Sequence, residues 1–118
     1  VGKKFVKLDD ILISHSVLAE LAGLAALECY GVVGMSHPHL SAGVAQILSR
    51  DKLTKGVKIQ ESNSQKIKVE LYVIVEYGVN LVEVARNLID RVKYEIKKYT
   101  DVEVESVDIF IQGIKRGK

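Results

Sequence analysis

From residue 67 the chain alternates. Ile67, Val69, Leu71, Val73 and Val75 interleave with Lys68, Glu70, Tyr72, Ile74 and Glu76, a period of two that predicts a strand with one wholly apolar face. Tyr77-Gly78 breaks the alternation. Asn80 then restarts the chain as a helix, because from Leu81 on Val84, Ala85, Leu88, Val92, Ile96 and Tyr99 recur at helical spacing, with Glu83, Arg86, Asn87, Asp90, Lys93 and Lys97 on the other side. Asn80 followed three residues later by Glu83 has the form of a capping box.

The flanking segments are read against this unit. Residues 1–10, with Lys3, Lys4 and Lys7, read as a loose basic arm, and Ile11-Leu12-Ile13 as a short edge strand. Ser14 or Ser16 caps a helix that runs to about Cys29, since a serine hydroxyl accepts from an N–H of the first turn. Gly31 supplies a left-handed residue at its end. Ser41 caps a second, short helix to about Ser49, and residues 50–55 read as a charged connection. A strand over 57–61 is joined by the polar turn 62–65 to the strand from Ile67, the pattern of a hairpin. A last strand spans about 103–112. Val102 and Val104 there are out of phase with Val107, Ile109 and Ile111, which predicts a bulge near Ser106, and residues 113–118 form a basic tail.

Two amphipathic helices need a sheet to cover. The expected fold is a single-domain α+β two-layer sandwich over residues 1–118: a small mixed sheet of three to four strands, two main helices on one face and a short extra helix.

Composition narrows the function classes. The net charge of +2, from 17 basic and 15 acidic residues, is too small to argue for nucleic acid. The one cysteine, Cys29, excludes an internal disulfide and fits a reducing compartment. No stretch reaches the length of a membrane span and the N-terminus lacks the form of a signal peptide, so the expected location is the cytoplasm.

Candidate chemistry is sparse. His37 and His39 straddle Pro38, but no further ligand lies at a recognisable spacing, and a solvent-exposed loop explains them more simply than a metal site. Cys29 falls on the buried side of its helix and reads as a small core residue. Gly31-Val32-Val33-Gly34 has the GxxG spacing of an RNA-clamping loop, yet its two valines cannot hold phosphate. Arg86, Arg91, Lys93, Lys97 and Lys98 alternate with Glu83, Asp90 and Glu95, with Asp90–Lys93, Arg91–Glu95 and Glu95–Lys98 at pairing distance; this is a solvated helix face, and exposed aromatics for base stacking are not expected. No nucleophile motif, metal set or phosphate loop is present, so neither catalysis nor a cofactor is expected.

One feature stands apart. With Val17, Leu18, Leu21, Ala22, Ala25 and Cys29 of the first helix assigned to the sheet, Ala19, Gly23, Ala26 and Leu27 form an outer stripe of mostly small side chains. Two covers fit it: Val44, Ile47 and Leu48 of the short helix 42–49, or another subunit. The stripe together with these three residues is the candidate interaction surface, for self-association or for a protein partner.

Three segments carry a resemblance: ISHSVLAELAGLAALECYGVVGM from Ile13, VELYVIVEYGVNLVEVARNLIDRVKYEI from Val69, and VESVDIFIQGI from Val104. In this order they resemble the alkaline shock protein, or envelope stress response, family of Gram-positive bacteria, from about Ile11 to Ile114, and most of all its short cytoplasmic members. The resemblance implies a non-enzymatic interaction or scaffold protein in cell-envelope homeostasis, held near the membrane through a partner, with no cofactor and no specific nucleic acid. The sequence departs from the family after the capping serine, where acidic residues are common and this chain has His15 and Ser16; that removes a favourable interaction with the helix dipole. The alternative is a small RNA-binding α+β domain.

Overall fold

The computed structural model describes residues 4–38, 46–62 and 65–116. In chain order the elements are β1 (Phe5–Leu8), β2 (Ile11–Ser14), α1 (His15–Leu27), β3 (Val32–Met35), a 3-10 segment (Arg50–Gly56), β4 (Val57–Glu61), β5 (Ile67–Glu76), α2 (Leu81–Thr100) and β6 (Val104–Lys115).

β5 is the middle of the main sheet. Along one edge it pairs antiparallel with β4 through Leu71 to Ile67 and with β3 through Val75 to Val73. β3 and β4 therefore lie end to end in one lane. Along the other edge it pairs in parallel with β6 over its whole length. The fold is the expected α+β sandwich with a small mixed sheet.

The alternation from Ile67 predicts the core correctly: Ile67, Val69, Leu71, Val73 and Val75 are all 0% exposed. Each such aliphatic side chain contributes about 1.5–3 kcal/mol by leaving water. Val84, Leu88, Val92 and Ile96 of α2 close over this face beside α1. Asn80 caps α2 by accepting from the Glu83 N–H at 3.0 Å, and Ser14 caps α1 by accepting from the Val17 N–H at 3.1 Å. The residue after the turn at Tyr77, Gly78, holds φ +97°, and Gly31 holds φ +88° with the Val84 side chain only 2.7 Å from where a Cβ would stand.

Several expectations are corrected. Residues 5–8 are not a loose arm: β1 pairs with β2 in a hairpin turned at Asp9, φ 54°, and Val6 is fully buried. The lysines of this stretch hid a strand whose inward side chains reach the core. The basic tail begins later than expected, since β6 runs on to Lys115 beside Glu76. The predicted bulge near Ser106 is present at Glu105, where Ile67 opposes Val104 and Lys68 opposes Ser106; a second register shift, at Gln112, was not predicted.

The short helix 42–49 is not found in its described part. Gln46 to Ser49 are not helical, Ile47 bridges Ser36 antiparallel, and the helical turn lies later, in the 3-10 segment Arg50–Gly56. Docking beside β3 wins over local helical periodicity here, because the Leu48 N–H donates to the Met35 carbonyl at 2.8 Å. On α2, Leu81 is partly exposed and Tyr99 largely so, and the buried stripe runs from Val84 to Ile96.

Candidate interaction surfaces

The residues of the first-helix stripe are separated by the fold. Ala19, Gly23 and Ala26 are buried, whereas Val17, assigned to the inner face, is 47% exposed. Within the chain, the 3-10 segment lies against α1 at this stripe. A Cβ on Gly23 would lie 3.4 Å from the Leu53 Cβ and 3.8 Å from the Val57 Cγ2. The small residue at Gly23 leaves Leu53 room to pack against α1, where it is 4% exposed. Leu27 and Leu48 are half-buried against the core, and Val44 lies outside the described residues.

Ile47 is elsewhere. It packs over Gly34, whose Cβ would come within 2.6 Å of the Ile47 Cγ2, on the face of β3 that the register shares with Ile74. That is the sheet face turned away from the helices. Ile47 and the α1 stripe are thus on opposite sides of the sheet and form no common surface.

The open sheet face is more apolar than the alternation implied. Tyr72 and Ile74, expected on a polar side, are buried. Phe110 of β6 stacks on Tyr72 with ring centroids 4.7 Å apart and planes 10° apart. The Tyr72 hydroxyl donates to Glu70 at 2.8 Å, and burial with this carboxylate pushes the phenol up to about 12. The Gln112 amide reaches across to donate to the Ser36 hydroxyl at 2.8 Å and the His37 carbonyl at 2.6 Å. Sequence reasoning missed this face because its cover comes from strand neighbours distant in sequence. Phe110 and Ile47 remain about two-fifths exposed on it.

A second surface lies along α2. Tyr94 and Tyr99 are exposed, and Lys98 stands over both rings at 5.6 and 5.2 Å. Lys93, Tyr94, Lys97 and Lys98 border a shallow depression of about 370 Å³ closed by Glu103 and Val104. Exposed aromatics were not expected; Tyr30 and Tyr77 are exposed as well. Of the expected pairs within the helix, Arg91–Glu95 forms at 3.2 Å. Arg91 also pairs with Glu28, tying α2 to the end of α1, and Lys97 turns out of the helix to Glu103 at 2.9 Å.

Among the described residues, no reactive group stands in an activated setting. The Cys29 thiol is buried and donates to the Ala25 carbonyl at 3.6 Å, and burial pushes it up, against the activation a nucleophile needs. His37 Nδ1 lies 3.1 Å from the Pro38 carbonyl, and His39 is outside the described residues. Among the described residues no group of three or more His, Cys, Asp or Glu could hold a metal ion. Val32 and Val33 belong to β3, so the GxxG spacing is a helix exit and a strand, not a clamp between helices.

The fold and its surfaces define a small α+β domain with exposed apolar and aromatic side chains among charges of both signs. The chain belongs to the alkaline shock protein 23 family, of cell envelope-related function, whose profile matches residues 3–116. It is similar to YloU of Bacillus subtilis, 38% identical over 110 residues that cover 92% of this chain and 91% of that protein. Spy1614 of Streptococcus pyogenes is 32% identical over 106 residues, covering 89% and 87%. YqhY of Bacillus subtilis is 27% identical over 108 residues, covering 92% and 78%. No solved structure matches.

Proposed function

We propose that the chain is a non-enzymatic interaction or scaffold protein that acts in cell-envelope homeostasis through protein–protein contacts, from the cytoplasm and near the membrane through a partner. The observation that carries this reading is the family match over residues 3–116, nearly the full chain. The partly exposed apolar side chains of the open sheet face, Phe110 and Ile47, and of the hairpin, Ile11 and Leu12, suit contact with protein. No helix of the described residues is long and apolar enough to cross a membrane, which is why a partner is invoked for the membrane.

The test is capture of the tagged chain from a nuclease-treated lysate of Gram-positive cells, with membrane and soluble fractions analysed separately. Enrichment of envelope or membrane-anchored proteins is the expected result; their absence from both fractions refutes the reading.

The alternative, RNA binding, is favoured by one observation: Tyr94 and Tyr99 stand exposed among Lys93, Lys97 and Lys98, an arrangement that can stack bases and hold phosphate. A titration with mixed single-stranded RNA across salt separates the two. Binding through a handful of lysines weakens by orders of magnitude between low and moderate salt. Submicromolar binding that survives physiological salt reverses the ranking.

A further inference from the structure

The β1–β2 hairpin is a two-stranded sheet of its own, with no ladder to the main sheet among the described residues. β2 ends at Ser14 and α1 begins at His15, so the two are joined without a linker and their junction is the hinge of the hairpin. Val6, Leu8 and Ile13 pack inward on the core, Val6 completely. One more bond lies at the hinge, where the His15 N–H donates to the Lys4 carbonyl at 2.8 Å. An isolated two-stranded hairpin is marginal in water, so this one depends on what holds it at its base.

The His15 ring sits at that base in a setting that favours its neutral form. Its Nε2 is, among the described residues, the one buried side-chain nitrogen or oxygen without a hydrogen-bond partner. In a neutral ring that nitrogen can be a bare acceptor; on protonation it becomes a charged donor with nothing to receive it. His15 is also the first residue of α1, where the helix dipole disfavours a cation, and the first turn holds no acidic residue to offset it. One turn further on, Leu18 and Ala19 are apolar and buried. Two charged groups act on the ring from the neighbouring elements: Glu61 at the end of β4 attracts an imidazolium, and Lys4 just before β1 repels it. Burial outweighs Glu61 and holds the imidazole below its ordinary value.

We propose that His15 is an acid-sensitive latch on the N-terminal hairpin: protonation of its ring lets the hairpin swing away about the Ser14–His15 junction while the main sheet and α2 stay folded. In the docked hairpin the ring is neutral and Nε2 is out of water. In the open form the ring is hydrated and recovers its ordinary proton affinity. As pH falls through the ordinary imidazole value, about 6.5, the open form binds a proton that the docked form does not, so acid favours opening until the docked ring is protonated as well. Above that range both forms are neutral and the latch is closed. Opening brings Val6, Leu8 and Ile13 into water beside Phe5, Ile11 and Leu12, which are already exposed. The device belongs to the hairpin and is independent of what the chain contacts elsewhere.

Hydrogen exchange of the full chain by NMR, at about pH 7.5 and about pH 5 and corrected for the intrinsic rates, tests this. Between the two conditions, the opening equilibrium of the β1 and His15 amides should rise at least about threefold more than that of the Leu88 amide in α2. His15→Gln keeps a polar side chain that does not titrate and should abolish the difference. The neighbouring charges should act with opposite signs. Glu61→Gln removes the attraction for the imidazolium and should enlarge the difference, whereas Lys4→Gln removes the repulsion and should reduce it.

A hairpin whose exchange tracks that of Leu88 at both pH values overturns the proposal, as does a difference that persists in His15→Gln. So does a His15 ring that titrates at or above about pH 6.5 in the folded chain, or Glu61 and Lys4 variants that move the difference in the same direction. Both of those residues are exposed, so their variants decide the matter even where His15→Gln fails to fold. None of these readouts involves the lysate capture or the RNA titration, so failure of the latch is distinguishable from failure of the interaction-protein reading.

Discussion

Replacing Gly23 with alanine and with leucine should move stability in opposite directions. In the middle of α1 a glycine costs about 0.5–1 kcal/mol relative to alanine through backbone entropy. An alanine Cβ at that position would meet the Leu53 Cβ at 3.4 Å and the Leu53 carbonyl and Val57 Cγ2 at 3.8 Å, which is ordinary contact. Gly23→Ala should therefore keep most of the helix gain and stabilise the chain by up to about 1 kcal/mol. Leucine obtains the same helix gain but carries a branched side chain into a space already filled by Leu53, which is 4% exposed. Overpacking of this kind costs about 1–3 kcal/mol. The leucine variant should fall below wild type by about 1–2 kcal/mol, and its melting temperature by a few degrees, about 3–8 °C for a domain of this size. Chemical unfolding with circular dichroism measures both. Because the chain's own 3-10 segment lies against this stripe, the association state should not change with either substitution. A leucine variant as stable as the alanine variant would show that Leu53 does not press on α1, and loss of an oligomer without loss of stability would show the stripe to be an intermolecular surface.

Three further outcomes are expected. Leu88→Ala, at a position 0% exposed under the centre of α2, should cost about 2–5 kcal/mol in chemical unfolding, and a loss below about 0.5 kcal/mol would contradict its place in the core. Gly78→Ala should cost about 1 kcal/mol or more because the residue holds φ +97°, although nothing lies within 4 Å of its would-be Cβ; an equally stable variant would mean the turn relaxes without strain. Tyr72 should keep its proton until about pH 12 while the unfolded phenol loses its own near pH 10. Over that window the unfolded state binds fewer protons, so the contribution of this group to stability falls as pH rises. Phenolate absorbance should show one late ionisation that Tyr72→Phe removes, and the variant should lose less stability than wild type over the same range.

The central unit was legible in the residues alone. A strand with period two and a helix with period 3.6, joined at Gly78 and capped by Asn80, are local patterns, and each is enforced by backbone geometry that acts over a few residues. The inner faces of β5 and of α2 from Val84 to Ile96, the two helix caps, the hairpin of β4 and β5 and the bulge at Glu105 all followed from such patterns, whereas the face of α1 did not, since Val17 is exposed and Ala19, Gly23 and Ala26 are buried. The mixed sheet followed too, since two amphipathic helices need one face to cover.

What tertiary structure decided were the places where a segment's neighbour is far away in sequence. Residues 5–8 form a strand because β2 pairs with them and Val6 reaches the core, despite the lysines on either side. Ile47 and Leu48 abandon helical periodicity because β3 offers hydrogen bonds to a chain laid beside it. Tyr72 and Ile74 are buried by Phe110 and by the strand beside Gly34, partners that alternation within β5 cannot reveal. The stripe of Ala19, Gly23 and Ala26 was visible in the sequence as a surface needing a cover, but what covers it was not. Periodicity reports which side of an element avoids water; only the path of the whole chain determines which atoms replace the water there.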